Sequence, residues 1–274
     1  MKTLTKSIIK ALIKPREASS HKGNYGHALL IAGSKGKMGA AVIAARACVR
    51  IGSGLTTLNV PEKERFILQT TVPEAMLMMR EDKKYELSNY TAIGIGPGLG
   101  TDKNSKDILK HIINKSHLPL VADADALNIL AADKNLLNKL PKESILTPHP
   151  KEFDRIFGNH KTTQERISTA IKKAREHNII IVLKGHQTLM TYKGEAFFNT
   201  TGNAGLAKGG SGDALTGIIT AFLAQGYEPF TSAKLGVYFH GLAADITLKD
   251  QSMESMLITD VIEYLGKAFK EVMK

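Results

Sequence analysis

The stretch NAGLAKGGSGDALTGIITAFLAQ, residues 203–225, joins a glycine-rich loop to the start of an apolar helix. Glycine has no Cβ, so the backbone N–H groups of such a loop can surround an anion closely. The N-terminus of the following helix adds partial positive charge and unpaired N–H donors. The stretch therefore predicts an anion-binding turn formed by Gly209, Gly210, Ser211 and Gly212.

Asp213, at the predicted start of the helix, does not fit a simple anion site. A bound anion would repel its carboxylate, unless the reaction needs a base at that position. In phosphoryl transfer, backbone N–H groups stabilise the transferring phosphate while a nearby carboxylate takes a proton from the attacking hydroxyl. The alternative is that Asp213 only caps the helix and that the glycines form a tight connection.

On both sides of this stretch, apolar runs of strand length alternate with helix-length segments. Strands are predicted at residues 28–32, 55–60, 91–95, 118–122, 145–147 and 179–183, with a hairpin at 187–199. Alternation of this kind indicates a three-layer α/β/α domain with a mostly parallel central sheet, here with a late β-hairpin. We expect one domain over residues 1–274 with a basic leader at 1–20, whereas residues 72–90 show no clear pattern.

Polar or glycine-containing loops follow five of the predicted strands. They begin at Gly33, Gly96, Asp123, Pro148 and Lys184. Ligands of open α/β sheets bind beyond the carboxyl ends of the strands. These loops therefore indicate a binding site at that edge of the sheet.

The composition narrows the class of protein. The single cysteine, Cys48, excludes an internal disulfide and fits a reducing compartment. No apolar run approaches the roughly 20 residues needed to span a bilayer, and the N-terminal apolar patches are too short for a signal peptide. We therefore expect a cytoplasmic protein without a membrane partner.

The net charge of +11 could suggest nucleic-acid binding, but residues 1–22 alone hold six Lys or Arg against one Glu. No DNA-binding motif or aromatic-interleaved basic face accompanies the rest. We expect no nucleic-acid partner. Phosphorylated small molecules would gain the same electrostatic steering from a basic protein.

The sequence does not match two familiar nucleotide-binding motifs. Residues 94–98 resemble a dinucleotide-binding turn, but Leu99 stands where the third glycine of G-x-G-x-x-G would be. Neither residues 33–38 nor 205–211 supply the G-x-x-x-x-G-K-[ST] sequence of a P-loop. The phosphate-binding hypothesis therefore depends on the turn at 209–213.

Further candidates lie at the ends of the other strands. Lys184 could place positive charge on a nucleotide phosphate, or it could be a solvated lysine. Asp123 and Asp125 could bind a metal or water, or cap the next helix. His149 stands between two prolines, which fix the backbone and suppress regular structure, so it is a plausible substrate contact or an incidental loop residue. Glu152 could hold a hydrated magnesium, while no Cys/His cluster has metal-ligand spacing.

Six motifs, taken together and in order, resemble the ADP/ATP-dependent NAD(P)H-hydrate dehydratase family of the ribokinase-like superfamily. They are HKGNYG (21–26), GIGPGLG (94–100), DADALN (123–128), LTPHPKEF (146–153), LKGHQT (183–188) and TGN with KGGSGD (201–213). The similarity extends from about residue 20 to the C-terminus. Each motif alone is weak evidence, whereas the ordered set is specific.

The resemblance implies a repair reaction in which a nucleotide drives dehydration of the S-epimer of NADHX or NADPHX, the hydrated forms of NADH and NADPH. The ring hydroxyl would be phosphorylated first, because phosphate leaves far more readily than hydroxide. Asp213 would be the base, with Gly209, Gly210, Ser211 and Gly212 as the anion hole. Ala40, Gly98, His149 and Asp213 would contact the substrate. Lys184, Gly185, His186, Gln187, Thr188 and Gly212 would bind the adenine nucleotide.

The resemblance also implies ADP, or ATP, as co-substrate and Mg²⁺ as cofactor. Glu152, acting through water, and Asp123 are the candidate metal residues, although His149 replaces the Asn of the N-x-x-E element in related kinases. A homotetramer is implied, with the leader and residues 72–90 as candidate interface segments. The chain has no room for an epimerase domain, so a separate epimerase is expected to handle the R-epimer. The alternatives are a hydroxymethylpyrimidine or thiazole alcohol kinase of the same superfamily, and a non-catalytic nucleotide sensor.

Overall fold

A ten-stranded sheet organises the residues that the structure, a computed structural model, describes: 2–82 and 86–274. Its strands are β1 (Lys2–Thr3), β2 (His27–Ile31), β3 (Leu55–Val60), β4 (Met76–Met79), β5 (Ala92–Ile95), β6 (Leu120–Ala122), β7 (Ile145–Leu146), β8 (Ile180–Leu183), β9 (Leu189–Tyr192) and β10 (Glu195–Phe198). They lie in the order β1-β10-β9-β8-β7-β6-β5-β2-β3-β4. Every neighbouring pair is parallel except those of β9 with β8 and with β10, which are antiparallel.

Helices cover both faces of the sheet. They are α1 (Lys6–Leu12), α2 (Met38–Ile51), α3 (Arg65–Thr71), α4 (Lys103–Lys115), α5 (Ala124–Ala132), α6 (Lys134–Asn138), α7 (Pro150–Phe157), α8 (Thr163–Glu176), α9 (Ser211–Ala224), α10 (Pro229–Thr247) and α11 (Ile258–Met273). One apolar core unites α1, α2, α3, α9, α10 and α11 on the first face, and a second unites α4 to α8 on the other. This confirms the three-layer α/β/α fold, the mostly parallel sheet and the late hairpin, whereas the single-domain expectation stays a prediction.

Helix α9 is the central helix of the first face. Every residue of 214–224 is buried, which is the pattern of a helix that is apolar all round and enclosed by protein. Helix α2 crosses it at very short range, since a methyl group added at Gly217 would lie 2.1 Å from the carbonyl oxygen of Ala44. The sheet and the neighbouring helices therefore fix the position of α9, and with it the position of the glycine turn that precedes this helix.

The structure excludes one alternative and corrects one local expectation. Asp213 is not a helix cap: α9 begins at Ser211, its N-cap is Gly210, and Asp213 lies in the first turn. The prolines beside His149 do not suppress regular structure either, because α7 begins at Pro150. Proline at the first helical position lacks only an N–H group that would have no intrahelical partner there, so it starts a helix well.

Residues 72–90, whose sequence shows no clear pattern, contain β4 and then a short 3₁₀ turn at residues 80–82. Residues 83–85 of this segment, and Met1 of the leader, lie outside the described residues. Strand β4 is one edge of the sheet, and its Met76 is 43% exposed, while Phe66 of α3 is 63% exposed. Within the described ranges, no helix is both long enough and apolar enough to cross a membrane.

Cys48 lies fully buried in α2, with its sulfur 3.6 Å from the hydroxyl oxygen of Thr56. Burial raises the pKa of the thiol to about 12, because a thiolate would lose its hydration there. The thiol therefore stays protonated and unreactive, as expected for a cysteine used for packing.

Candidate active site

The loops after β2, β5, β6, β7 and β8 meet at the carboxyl edge of the sheet, where the sequence predicted a site. Several contacts bring them together at short range. A methyl group added at Gly96 would lie 1.9 Å from the backbone oxygen of Asp123, so the loops after β5 and β6 pack backbone against backbone. The amide of Lys184 donates to the Pro148 carbonyl over 2.9 Å, which ties the loop after β8 to that after β7.

The glycine turn before α9 lies over this edge. Gly210 has φ 93°, and a methyl group there would lie 2.6 Å from Cδ1 of Ile43, so this position needs glycine for both conformation and space. Gly209, in contrast, has no atom within 4 Å of an added methyl group and is open. The first-turn N–H groups of a helix have no intrahelical partners. The turn therefore has the backbone form that an anion site needs, and anion binding there stays a prediction.

Asp213 lies half-buried in the first turn of α9. Burial raises the pKa of its carboxyl to about 6, and the negative charge of Asp123 adds to the effect while Lys184 opposes it. A carboxylate with this pKa is ionised at neutral pH and yet binds a proton more readily than an exposed aspartate does. That is the property a general base needs.

Behind the turn lies a partly buried ion pair. Lys184 Nζ is 2.8 Å from Oδ1 of Asp123, and the Thr216 hydroxyl is 3.1 Å from Oδ2 of the same carboxylate. Asp123 is 1% exposed and makes no side-chain cap to α5. Neither the solvated-lysine nor the helix-cap alternative therefore describes these residues. A methyl group at Gly212 would lie 3.0 Å from Asp123 Oδ2 and 3.2 Å from Lys184 Nζ.

His149 and Glu152 cap α7 reciprocally. His149 Nδ1 accepts from the amides of Lys151 and Glu152 at 3.1 and 3.3 Å, and Glu152 Oε2 accepts from the His149 amide at 2.9 Å. The imidazole side chain remains 47% exposed, with Nε2 3.5 Å from Glu152 Oε1. The sequence predicted that the His149 ring is held rigidly at the end of a strand. A capping box holds the ring there, and irregular structure does not.

Gly98 and Ala40 form another part of the edge. Gly98 has φ 59°, and a methyl group there would lie 3.0 Å from Cβ of Ala40 and 2.8 Å from the Lys37 carbonyl oxygen. The Ser34 hydroxyl donates to the Gly98 carbonyl over 2.8 Å. The loop after β2, with the first turn of α2, and the loop after β5 therefore make one continuous surface that contains Ala40 and Gly98, two of the four predicted substrate contacts.

Asp125 anchors that surface. Its Oδ2 accepts from the Gly100 amide at 2.8 Å and lies 3.7 Å from Lys37 Nζ. Sequence reasoning missed Lys37 and also Arg80, whose buried guanidinium donates to the Gly33 carbonyl over 2.9 Å. Arg80 sits in the segment without a clear pattern, so no local signal could have identified it.

The predicted nucleotide-binding residues beyond Lys184 form the turn between β8 and β9. Gly185, His186 and Gln187 are exposed, and Thr188 is half-buried with its hydroxyl 3.5 Å from the Gly185 carbonyl oxygen. The turn adjoins Lys184. Its contact with a nucleotide stays a prediction.

The described residues contain no group of three or more His, Cys, Asp or Glu side chains that could hold a metal ion. Both oxygens of Asp123 already accept hydrogen bonds, and Glu152 Oε2 accepts from a backbone amide. Asp123 is thus poorly placed to coordinate magnesium directly, whereas Glu152 Oε1 faces the half-exposed imidazole of His149, 3.5 Å from its Nε2. Magnesium usually keeps several waters and binds phosphate oxygens, so it does not need a full protein cage.

Known proteins resemble this chain over most of its length. A family model described as NAD(P)H-hydrate dehydratase matches residues 28–267. The ADP-dependent (S)-NAD(P)H-hydrate dehydratase of Listeria monocytogenes is 36% identical over 279 residues, which cover 98% of this chain and 97% of that protein. The bifunctional NAD(P)H-hydrate repair enzyme of Moorella thermoacetica is also 36% identical, over 96% of this chain but only 52% of its own length. This chain thus spans about half of that relative.

Solved structures give the same result. The crystal structure of the ADP/ATP-dependent NAD(P)H-hydrate dehydratase from Bacillus subtilis, co-crystallised with ATP and Mg²⁺, superposes with a TM-score of 0.89 at 32% identity. The match covers 99% of this chain and 98% of the other. The six motifs, the fold and the full-length similarity therefore agree that the chain belongs to the NAD(P)H-hydrate dehydratase family.

Proposed function

We propose that this protein uses a nucleotide, ADP in preference to ATP, to dehydrate the S-epimer of hydrated NADH or NADPH and so restores the reduced cofactor. The observation that carries the proposal is the position of Asp213. It lies half-buried with a pKa of about 6, in the first turn of α9 and directly after the glycine turn. A base and an anion hole on adjacent residues suit proton removal coupled to phosphoryl transfer.

The chemistry proceeds in two stages. Asp213 takes the proton of the ring hydroxyl while that oxygen bonds to the terminal phosphorus of the nucleotide, whose bridging P–O bond breaks. The ring C–O bond then breaks with phosphate as leaving group, and loss of a proton from the neighbouring carbon restores the double bond. The backbone N–H groups of residues 209–212 stabilise the charge on the transferring phosphoryl group.

The two substrates occupy different parts of the carboxyl edge. Ala40, Gly98 and His149 contact the hydrated nicotinamide cofactor, which is supported by the continuous surface that joins the loops after β2 and β5. Lys184 and residues 185–188, in the turn after β8, bind the adenine nucleotide together with Gly212. The closeness of Lys184 to the glycine turn supports its role toward the nucleotide phosphates. A methyl group added at Gly212 would lie 3.2 Å from Lys184 Nζ.

Magnesium is the proposed cofactor, supported by the Bacillus subtilis relative that was crystallised with ATP and Mg²⁺. It would neutralise charge on the nucleotide phosphates and contact the protein through water at Glu152. A homotetramer is also proposed, and two exposed apolar side chains, Met76 of the edge strand β4 and Phe66 of α3, support an apolar interface between subunits. The protein works in the cytoplasm with a separate epimerase, and its single buried cysteine supports a reducing compartment.

The test is direct conversion. The purified protein is incubated with (S)-NADHX, Mg²⁺ and either ADP or ATP, and the absorbance of the reduced nicotinamide is followed. We expect NADH to form only when a nucleotide is present and ADP to be the better co-substrate. Absence of NADH with both nucleotides would overturn the proposal. Phosphorylation of a hydroxymethylpyrimidine or thiazole alcohol in a parallel reaction would identify a kinase instead.

A further inference from the structure

Asp123 is a buried carboxylate whose hydrogen-bonding capacity is directed at two partners far away in sequence. Its Oδ1 accepts from Lys184 Nζ at 2.8 Å and its Oδ2 from the Thr216 hydroxyl at 3.1 Å. Thr216 is fully buried one turn into α9, and its hydroxyl also lies 3.1 Å from the Gly212 carbonyl oxygen. Asp123 therefore links the cation at the end of β8 to the helix that bears the glycine turn.

Lys184 has a second carboxylate within reach. Oε2 of Glu152, 9% exposed as a side chain, is 4.0 Å from Lys184 Nζ. Asp123 holds the ammonium group on the Gly212 side, since its carboxylate is closer and is itself fixed by Thr216. If Asp123 were neutral, the ammonium group would pair with Glu152 and move away from the glycine turn.

We propose that Asp123 is a positioning residue for phosphoryl transfer: it holds Lys184 beside Gly212 and does not bind the metal. This inference rests on the proposed function for its consequence in catalysis, but the placement of Lys184 can be measured without the substrate. The carboxylate also cancels most of the charge of Lys184, so the pair attracts a resting nucleotide only weakly. Its contribution is orientation, which matters when charge moves onto the transferred group.

The proposal predicts a split between catalysis and binding in the Asp123→Asn variant. We expect kcat to fall between tenfold and about 10²-fold, the size of effect that misplacement by about 1 Å produces. ADP affinity, measured by calorimetry in EDTA, should stay within roughly threefold of wild type. Loss of a negative charge beside the anion site offsets loss of a fixed cation.

A second measurement reports Lys184 directly. Acetylation of Lys184 in the nucleotide-free protein, followed by mass spectrometry, should be at least about threefold faster in Asp123→Asn, because the ammonium group is no longer held. Thr216→Val should also accelerate it, while Thr216→Ser keeps the hydroxyl and should restore the wild-type rate. Asp154→Asn is the matched control, since Asp154 pairs with Arg166 at 2.6 Å in a different ion pair. It should not change Lys184 acetylation.

The outcomes are distinct. Unchanged acetylation of Lys184 in Asp123→Asn, or ADP affinity that falls in parallel with kcat, would overturn the positioning role. Recovery of kcat by raised Mg²⁺ would show that Asp123 is a metal ligand and would overturn it as well. A wild-type protein that makes no NADH would refute the proposed function, whereas the acetylation rates would still decide whether Asp123 positions Lys184.

Discussion

Cationic side chains lie at both the amino and the carboxyl end of the sheet, but their contacts differ. At the amino end, a cavity of about 1020 Å³ is lined by the leader and by the C-terminal ends of α2, α9 and α11. There Lys14 Nζ donates to the Gly226 carbonyl over 2.8 Å, and Arg16 donates to the Gly52 carbonyl. At the carboxyl end, Lys184 faces a carboxylate and an open glycine turn. A cavity alone thus does not identify the candidate site.

The amino-end cations stabilise the ends of helices. Gly52 and Gly226 lie at the C-terminal ends of α2 and α9, where carbonyl groups lack intrahelical partners and positive charge is favourable. The Arg16 guanidinium also lies 3.8 Å from the centroid of the Tyr25 ring. Part of the leader's positive charge therefore stabilises the fold.

The largest expected effect tests whether the carboxyl end is the catalytic one. Asp213→Asn should lower kcat at least about 10²-fold, because no other group is proposed to take the hydroxyl proton. Burial raises the pKa of Asp213, so the ionised form costs stability near pH 7 and the variant should melt at a higher temperature. Steady-state kinetics and thermal melting measure the two effects. Near-normal turnover in this variant would show that Asp213 is not the base.

The effect of pH on kcat/KM should be smaller than the effect of Asp213→Asn on kcat and larger than the effect of changes at the amino end. Asp213 must be ionised to accept a proton, so protonation near its pKa of about 6 should lower kcat/KM as the pH falls. Below that value the decrease should approach roughly tenfold per pH unit, with a plateau above it. Rates from pH 5 to pH 8 measure this, with refolded activity at pH 8 as the control for acid damage. A profile that stays flat down to about pH 5 would contradict the raised pKa.

The smallest expected effect concerns the amino end. Arg16→Ala removes a hydrogen bond to a helix carbonyl and a stacked cation, so we expect a loss of about 1 kcal/mol in the free energy of unfolding. The rate of NADH formation should not change. Urea denaturation and the conversion assay measure the two quantities. Reduced turnover at unchanged stability would mean that the amino-end cavity takes part in the reaction and would remove the contrast between the two ends.

The features of the fold and the candidate site that the sequence predicted are those that depend on short segments of the chain. The apolar residues after the glycine turn indicated a helix, and the strand-ending loops indicated the edge of the sheet where the candidate site lies. What it could not predict are contacts between distant residues: Lys184 and Asp123 are 61 positions apart, and Arg80 and Gly33 are 47 apart. Pairing of this kind is determined by packing of the whole sheet. The helix at Pro150 was missed for a different reason, since a proline that starts a helix is locally indistinguishable from one that prevents it.

The buried thiol has a practical consequence for measuring motion at the site. Cys48, the only cysteine, is fully enclosed with a pKa of about 12, so thiol reagents have almost no thiolate to attack in the folded protein. A single cysteine introduced in the exposed turn at residues 185–187 would consequently take up a fluorophore or spin label at one position only. Opening and closing of that turn around a nucleotide could then be followed without first removing a native cysteine.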